Sequence, residues 1–305
     1  ITVDDQRTPQ QLIENVLVNS SCAAVTNMSG RGDSFTSGKN SFAYFNAGTS
    51  NFPFQEGIIL ATSTSTNAIG PYSSSMGGGS KNWIGDSDLN SILGINSINA
   101  TSFEFDFVPL DSFVNFRYVF ASDEYCEYVG QKFNDVFGFF VSGPGINGSF
   151  NNKGENVALV PGSNAFVSIN TINSSQNTLF YSDNMHPEDA ARCNKTWANS
   201  PNQERIQYDG FTRPLTAVLK LIPCQTYRIR LLVADVSDGK FDSAVFLEDF
   251  RLEPFGFPIY TGGTAMCQSS PIPLDTGLPA TIVHEWYFGT DLIVGETGPV
   301  LEITE

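Results

Sequence analysis

The sequence predicts a mainly β protein: a jelly-roll-like antiparallel β-sandwich with one N-terminal helix and long loops, followed by a partial immunoglobulin-like β module. Three observations carry this expectation. Apolar residues recur with a period of two in one run after another, the mark of strands that lay one face on a core. Ser, Thr, Asn and Gly are abundant beside 25 phenylalanines, a composition suited to short strands joined by polar turns. No strand–helix–strand rhythm breaks the series, which leaves two packed antiparallel layers as the natural solution.

The helix comes first, in "RTPQQLIENVLV". Thr8 serves as N-cap, Pro9 fits the first helical position and Gln11 completes a capping box. Leu12, Ile13, Val16 and Leu17 then share one face. A shorter helical turn is expected at Asp88–Leu93. In "SFEFDFVP", Phe103, Phe105 and Phe107 face one way and Glu104 and Asp106 the other; in "FVNFRYVF", Val114, Phe116, Tyr118 and Phe120 form the apolar face. "DVFGFFVS", "NVALV", "PLTAVLKLI", "TYRIRLLVAD" and "SAVFLEDFRL" read as further strands. Two segments, Ala61–Lys81 and Asn170–Gln207, are too polar for a core and read as long surface excursions.

After Pro254 the texture changes, which divides the chain into a sandwich over 1–254 and a linker with an incomplete module over 255–305. Cys267 before an apolar strand, with Trp286 some way after it, fits an immunoglobulin-like pattern. A complete sandwich of that type needs about 100 residues, so the expectation is a natural chain that continues past Glu305, or a strand supplied by another subunit.

Sixteen Lys and Arg against 32 Asp and Glu give a net charge of −16. Such a chain repels nucleic-acid phosphates and anionic lipid heads and attracts cations, Ca²⁺ first among them. No apolar run is long enough to span a membrane, and Ile1 reads as a mature N-terminus left by processing. The five cysteines form no Cys-x-x-Cys pair, which argues against zinc. Two disulfides are expected among Cys22, Cys126, Cys193 and Cys224. Of the alternatives, Cys126–Cys193 is favoured because both lie in loop-like sequence, and Cys22–Cys224 would follow.

No catalytic set emerges. Glu104 and Asp106 project from one strand face as glycosidase carboxylates do, but the third acid of a Glu-x-Asp-x-x-Glu run is missing. His186 has no nucleophile elbow to serve, "GGGSK" lacks the register of a phosphate loop, and "RGD" at Arg31–Asp33 reads as a turn. Oxygen-rich loops are better represented. "GDSDLN" offers Asp86 and Asp88, "ADVSDGKFDSAVFLED" offers Asp235, Asp238 and Asp242, and "SDEYCEYVGQKFND" offers Asp123, Glu124 and Asp135. These acids are the expected Ca²⁺ ligands; the alternative is that they cap turns through their own backbone. Tyr72, Trp83, Tyr181 and Trp197 are the expected aromatic contacts for a ligand.

The segments "SFEFDFVPLDSFVNFRYVFASDEYCEYVGQKFNDVFGFFVSGPG", "GENVALVPGSNAFVSINTIN" and "YDGFTRPLTAVLKLIPCQTYRIRLLVADVSDGKFDSAVFLEDF" resemble the choice-of-anchor L domain. "TPQQLIENVLV", "EGIILATSTSTNAIGP" and "GDSDLN" fit the same family in the same order, so the resemblance covers about Thr8 to Leu252. It implies a secreted or surface protein on the outer-membrane exterior of Bacteroidota, of the kind exported by type IX secretion or associated with gliding motility, and it carries no catalytic residues. The expected function is a non-catalytic extracellular adhesin or surface-filament module that binds a surface glycan or protein through its long loops. Self-association or continuation into further immunoglobulin-like modules is expected, without nucleic-acid or membrane partners. The alternatives are a polysaccharide-degrading β-sandwich enzyme and a purely structural polymerising subunit.

Overall fold

The structure is a computed structural model that describes residues 1–18, 24–33, 39–71, 77, 83–109, 112–184, 206–248, 272–275, 284–288 and 291–303. The chain forms two compact units, Ile1–Arg251 and Leu252–Glu305.

Local chemistry at the start of the chain does what its residues dictate. Thr8 caps α1 (Pro9–Leu12): its hydroxyl accepts from the Gln11 N–H while the Gln11 side chain accepts from the Thr8 N–H. A π-helical turn, Ile13–Leu17, continues it and buries Ile13, Val16 and Leu17 with Leu12. The second helix, α2 (Ser87–Leu93), is capped by the Asp86 carboxylate and stopped by Gly94 in the left-handed region, φ 68°, where a Cβ would be strained.

The first unit is a β-sandwich. Its strands are β1 (Thr2–Asp4), β2 (Ala24–Arg31), β3 (Phe42–Asn46), β4 (Glu56–Ala61), β5 (Ser97–Val108), β6 (Phe113–Ser122), β7 (Val136–Ser142), β8 (Glu155–Asn156), β9 (Tyr181–Asp183), β10 (Gly210–Thr212), β11 (Leu215–Lys220), β12 (Tyr227–Val236) and β13 (Ser243–Glu248). The larger sheet runs β1-β3-β4-β13-β6-β10-β9 with β11 also on β6; the smaller runs β2-β5-β12-β7-β8. Every pairing is antiparallel. Aromatic pairs close the space between the layers: Phe116 on Phe139 at 4.7 Å, Tyr118 on Phe137 at 4.9 Å and Phe42 on Phe103 at 5.3 Å. Offset and edge-on rings of this kind add to the burial energy of each side chain.

The alternation in β5 is as expected: Phe103, Phe105 and Phe107 are buried, Glu104 and Asp106 half-exposed. "NVALV" is not a full strand; only Glu155 and Asn156 pair with β7, and Leu159 makes a single bridge to Phe166. The segment from Ala61 is not a surface excursion at its start, because Thr62, Ser63, Ser65 and Ala68 are buried. The flanks of the other polar segment are packed as well, with Ile172, Asn173, Asn184 and Gln207 inside. The middle of both segments lies outside the described residues.

In the second unit, β14 (Ile272–Asp275) pairs with β17 (Val300–Ile303), and β15 (Tyr287–Phe288) with β16 (Asp291–Leu292). Trp286 is buried and its indole N–H donates to the Gly298 carbonyl at 2.9 Å. Cys267 lies outside the described residues.

Candidate functional site

Two sets of carboxylates stand out, one inside the sandwich and one on the outer face of the smaller sheet. The inner set gathers at the ends of four strands. Asp123 and Glu124 follow β6, Asp135 precedes β7, Asp235 lies near the end of β12, and Asp242 precedes β13. All are at most 1 % exposed. A bulge in β12 between Val233 and Asp235 lies against the start of β5, where Asn99 takes a left-handed φ of 53°. Bulges of this sort re-aim side chains, and here the Asn99 amide donates to Asp235 Oδ2 at 2.7 Å.

The remaining donors come from the hydroxyls and amides around the cluster. Asp135 Oδ1 accepts from the Val236 N–H at 2.9 Å and Oδ2 from the Ser243 hydroxyl at 2.7 Å. Asp242 Oδ2 accepts from the Asn67 amide at 2.6 Å and from the Ser63 hydroxyl. Asp123 Oδ1 accepts from the Asp209 N–H at 3.0 Å. Thr62 bonds Asp235, and the Asp135 and Asp235 carboxyls hydrogen-bond one another. Two carboxyls in mutual contact repel one another when both are ionised, which favours their protonated forms.

Burial pushes Asp135 up to about 7, with Asp242 adding to it, although hydrogen bonds from Ser243, Val236 and Asp235 pull the other way. Burial likewise raises Glu124 to about 9, helped by Asp135, Asp238 and Glu127. Asp235 is held well above the usual carboxylate range by burial first and by Asp135 next. No three acid, histidine or cysteine side chains among the described residues form a ready-made metal cage.

The outer set is built differently. Glu104 and Asp106 on β5 stand directly opposite Arg230 and Arg228 on β12. Arg230 reaches Asp86 at 2.5 Å, Asp88 at 2.5 Å and Glu104 at 3.0 Å. Arg228 binds Glu104 at 3.0 Å and Asp106 at 3.1 Å. Arg31 donates to the Gly85 carbonyl and lies 3.7 Å from Asp86. Beside this network opens a groove of about 690 Å³. Its walls include Ser29, Arg31, Glu104, Asn151, Asn152 and Arg230, so its chemistry is hydroxyl, amide and paired charge.

These positions revise several expectations. Asp86 and Asp88 are ion-paired, each giving one carboxylate oxygen to the Arg230 guanidinium and the other to backbone N–H groups. Glu104 and Asp106 are engaged by guanidinium donors and are not set up to pass a proton to a sugar oxygen. Asp238 is partly exposed and caps its own turn, accepting from the Lys240 N–H at 3.2 Å. "RGD" is not a projecting turn: Arg31 ends β2, and the Asp33 N–H donates to the Ser41 hydroxyl.

The aromatic expectations fare unevenly. Tyr181 is buried against Tyr125 at 5.0 Å. Gly210 permits that stack, for a Cβ there would come within 2.5 Å of the Tyr181 hydroxyl. Trp83 is partly buried and spends its indole N–H on the Ala100 carbonyl. Tyr72 and Trp197 lie outside the described residues, as do His186, Cys22 and Cys193. Cys224 is an exposed free thiol in the turn between β11 and β12, so the expected Cys22–Cys224 disulfide is not formed. Cys126 is disulfide-bonded to a partner outside the described residues.

Residue-by-residue reading missed Asp209 and Tyr208, both fully buried beside the inner set. The only local signal for either is a polar pair directly before the short apolar β10. The family model described as the Choice-of-anchor L domain matches residues 2–252. No curated protein and no solved structure matches the chain.

Proposed function

Since the chain belongs to the choice-of-anchor L domain family, a family of surface-associated modules and not a known enzyme family, we propose that it is a non-catalytic extracellular adhesin or surface-filament module whose ligand is a surface glycan. No helix among the described residues is long and apolar enough to cross a membrane. The single observation that carries the ligand class is the composition of the groove beside Arg230. A neutral polyhydroxyl ligand can trade hydrogen bonds with serine, asparagine and already-paired charges without stranding an ion. An apolar ligand would desolvate those same groups with no return.

The reading moves the binding surface from the long loops to the sheet face. It is tested by a glycan array followed by calorimetry on the best binder. Asn152→Ala and Arg31→Ala, which change groove walls without touching the core, are expected to weaken binding at least tenfold. Hydrolysis of a glycan that is abolished in Glu104→Gln would instead establish the polysaccharide-degrading alternative.

A second reading, a polymerising structural subunit, is favoured by β11. Among the described residues that strand pairs only with β6, and it carries exposed Val218 beside exposed Phe113 and Ile222. Open edges with apolar side chains are templates for strand addition. Light scattering that shows fibres from wild type and monomers from Val218→Lys would support it. The N-terminal residues are not free to complete a neighbour's sheet, because β1 is already paired with β3.

A further inference from the structure

The inner carboxylates serve no purpose in the groove, and their burial requires an explanation of its own. Glu124, Asp135 and Asp235 come from the loop after β6, the start of β7 and the end of β12. Among the described residues, the charged groups that act on the three are other acids: Asp135, Asp238 and Glu127 on Glu124, Asp242 on Asp135, and Asp135 and Asp242 on Asp235. Burying even one unpaired carboxylate costs several kcal/mol.

Unsatisfied oxygens mark the same place. Glu124 Oε2 and Asp235 Oδ1 are buried and have no hydrogen-bond partner among the described residues. The Tyr208 hydroxyl, fully buried and facing Asp242, Asp123 and Asp235, has none either. Tyr208 is not one of the acids, so its orphaned hydroxyl is a separate sign that this polar space accommodates something besides the side chains around it.

We propose that the space bounded by Glu124, Asp135 and Asp235 is a divalent-cation site, and that Ca²⁺ is the ion it fits. The surrounding side-chain donors are all oxygen, which selects a hard cation over zinc or copper. Asp242 and the Asn99, Thr62 and Ser63 side chains stand behind the first three. The three carboxyls alone are not a finished cage; the cation takes backbone carbonyls and water for the rest of its six to eight oxygens. Asp238 and Glu127, both partly exposed, lie next to Glu124 and extend the negative field outward. A cation here ties β6 and β13 of the larger sheet to β7 and β12 of the smaller one and fixes the two loops between those strands. This inference is independent of the groove and of any ligand it holds.

Terbium is the direct probe, because Tyr208 and Tyr125 lie close enough to sensitise its luminescence. The full chain, stripped with chelator, is titrated with Tb³⁺ and then with Ca²⁺ as competitor at pH 8. The expected result is a saturable signal displaced by Ca²⁺ with a dissociation constant of about 10⁻⁴ to 10⁻³ M, the range of extracellular modules. A Tm rise of about 5 °C at hundredfold excess should accompany it.

Glu124→Gln and Asp135→Asn are expected to weaken Ca²⁺ more than about tenfold, whereas Asp88→Asn in the outer set leaves it unchanged. Glu124→Gln keeps the proposal falsifiable should Asp135→Asn fail to fold, because the Glu124 Oε2 oxygen makes no hydrogen bond that the fold would lose. Two results overturn the site: no saturable Tb³⁺ signal and no Ca²⁺-dependent Tm shift in wild type, or a signal that both inner variants leave intact. Either would mean that the fold holds the inner acids without a cation.

Discussion

The two carboxylate sets of the sandwich contain the same residue types and solve opposite problems. On the outer face, Asp86, Asp88, Glu104 and Asp106 surround Arg228 and Arg230, and each negative charge has a guanidinium within 3.1 Å. Inside, the partners of Asp135 and Asp235 among the described residues are hydroxyls, amides and one another, and Glu124 adds a third buried carboxyl. The outer set is electrostatically complete as it stands and forms the floor of a polar groove. Glu124, Asp135 and Asp235 have no guanidinium or ammonium partner among the described residues. The count of acids says little about chemistry; what decides is the sign of the nearest long-range neighbour.

The contrast can be broken most forcefully at Arg230. Arg230→Ala leaves Asp88 buried against the sheet without its cation and Asp86 with only Arg31 at 3.7 Å, while Glu104 keeps Arg228. Removing one partner from a buried ionic network costs about 3–5 kcal/mol. Equilibrium denaturation in urea should show that loss, and a loss under 1 kcal/mol would mean that the network is as weak as an exposed surface pair.

The inner set is sharpened next, through pH. Carboxyls raised in the folded state hold protons that the unfolded chain has already released. Their contribution to stability is therefore fully present below the unfolded values near pH 4. It is lost as pH rises, first through about 7 for Asp135 and then through about 9 for Glu124. Metal-free protein should lose stability throughout the rise from pH 5 to pH 10. Glu124→Gln should remove the upper part of that slope. Thermal melts in chelator across this range decide it, and a flat profile would place a hidden countercharge beside the cluster.

How much of this could be read from the chain follows the distance over which each feature is decided. Alternation within β5 and the cap at Thr8 are local, so Phe103, Phe105, Phe107 and the capping box were legible. The Asp86–Asp88 spacing was legible too, but its meaning was not: the residue that answers it, Arg230, lies 142 positions beyond Asp88 and 144 beyond Asp86. Asp123 and Asp209 meet across 86 positions. The polar run after Ala61 looked solvent-exposed because serine, threonine and asparagine usually are. Here Thr62, Ser63 and Asn67 are the hydrogen-bond donors that make burial of Asp235 and Asp242 tolerable. Tyr181 looked like a surface ring because nothing local reveals that Gly210 clears a slot for it against Tyr125.

One substitution made in both sets should give opposite signs. Asp88→Asn removes a charge that Arg230 needs and is expected to destabilise by about 1–2 kcal/mol at pH 8. Asp235→Asn removes an ionisable group that no cationic side chain among the described residues faces, while its amide can still donate to Asp135 and its carbonyl can still accept from Asn99. In metal-free protein at pH 8 it should be neutral or stabilising by about 1 kcal/mol, with the pH slope reduced. Paired denaturation curves give the comparison directly; equal destabilisation by both would erase the distinction between the sets.

The smallest expected effect lies at Arg228, on the more open side of the outer network. Its side chain is 28 % exposed and its partners Glu104 and Asp106 are 32 % and 22 % exposed. Solvent screens all three, and Glu104 retains Arg230 when Arg228 is gone. Arg228→Ala should therefore cost no more than about 1 kcal/mol, less at high salt. A loss as large as that of Arg230→Ala would show that the two arginines act as one cooperative unit, and that the outer charges are locked together across the width of the β5–β12 pair. The double variant separates these cases: independent sites add, whereas a shared network gives a combined loss well short of the sum.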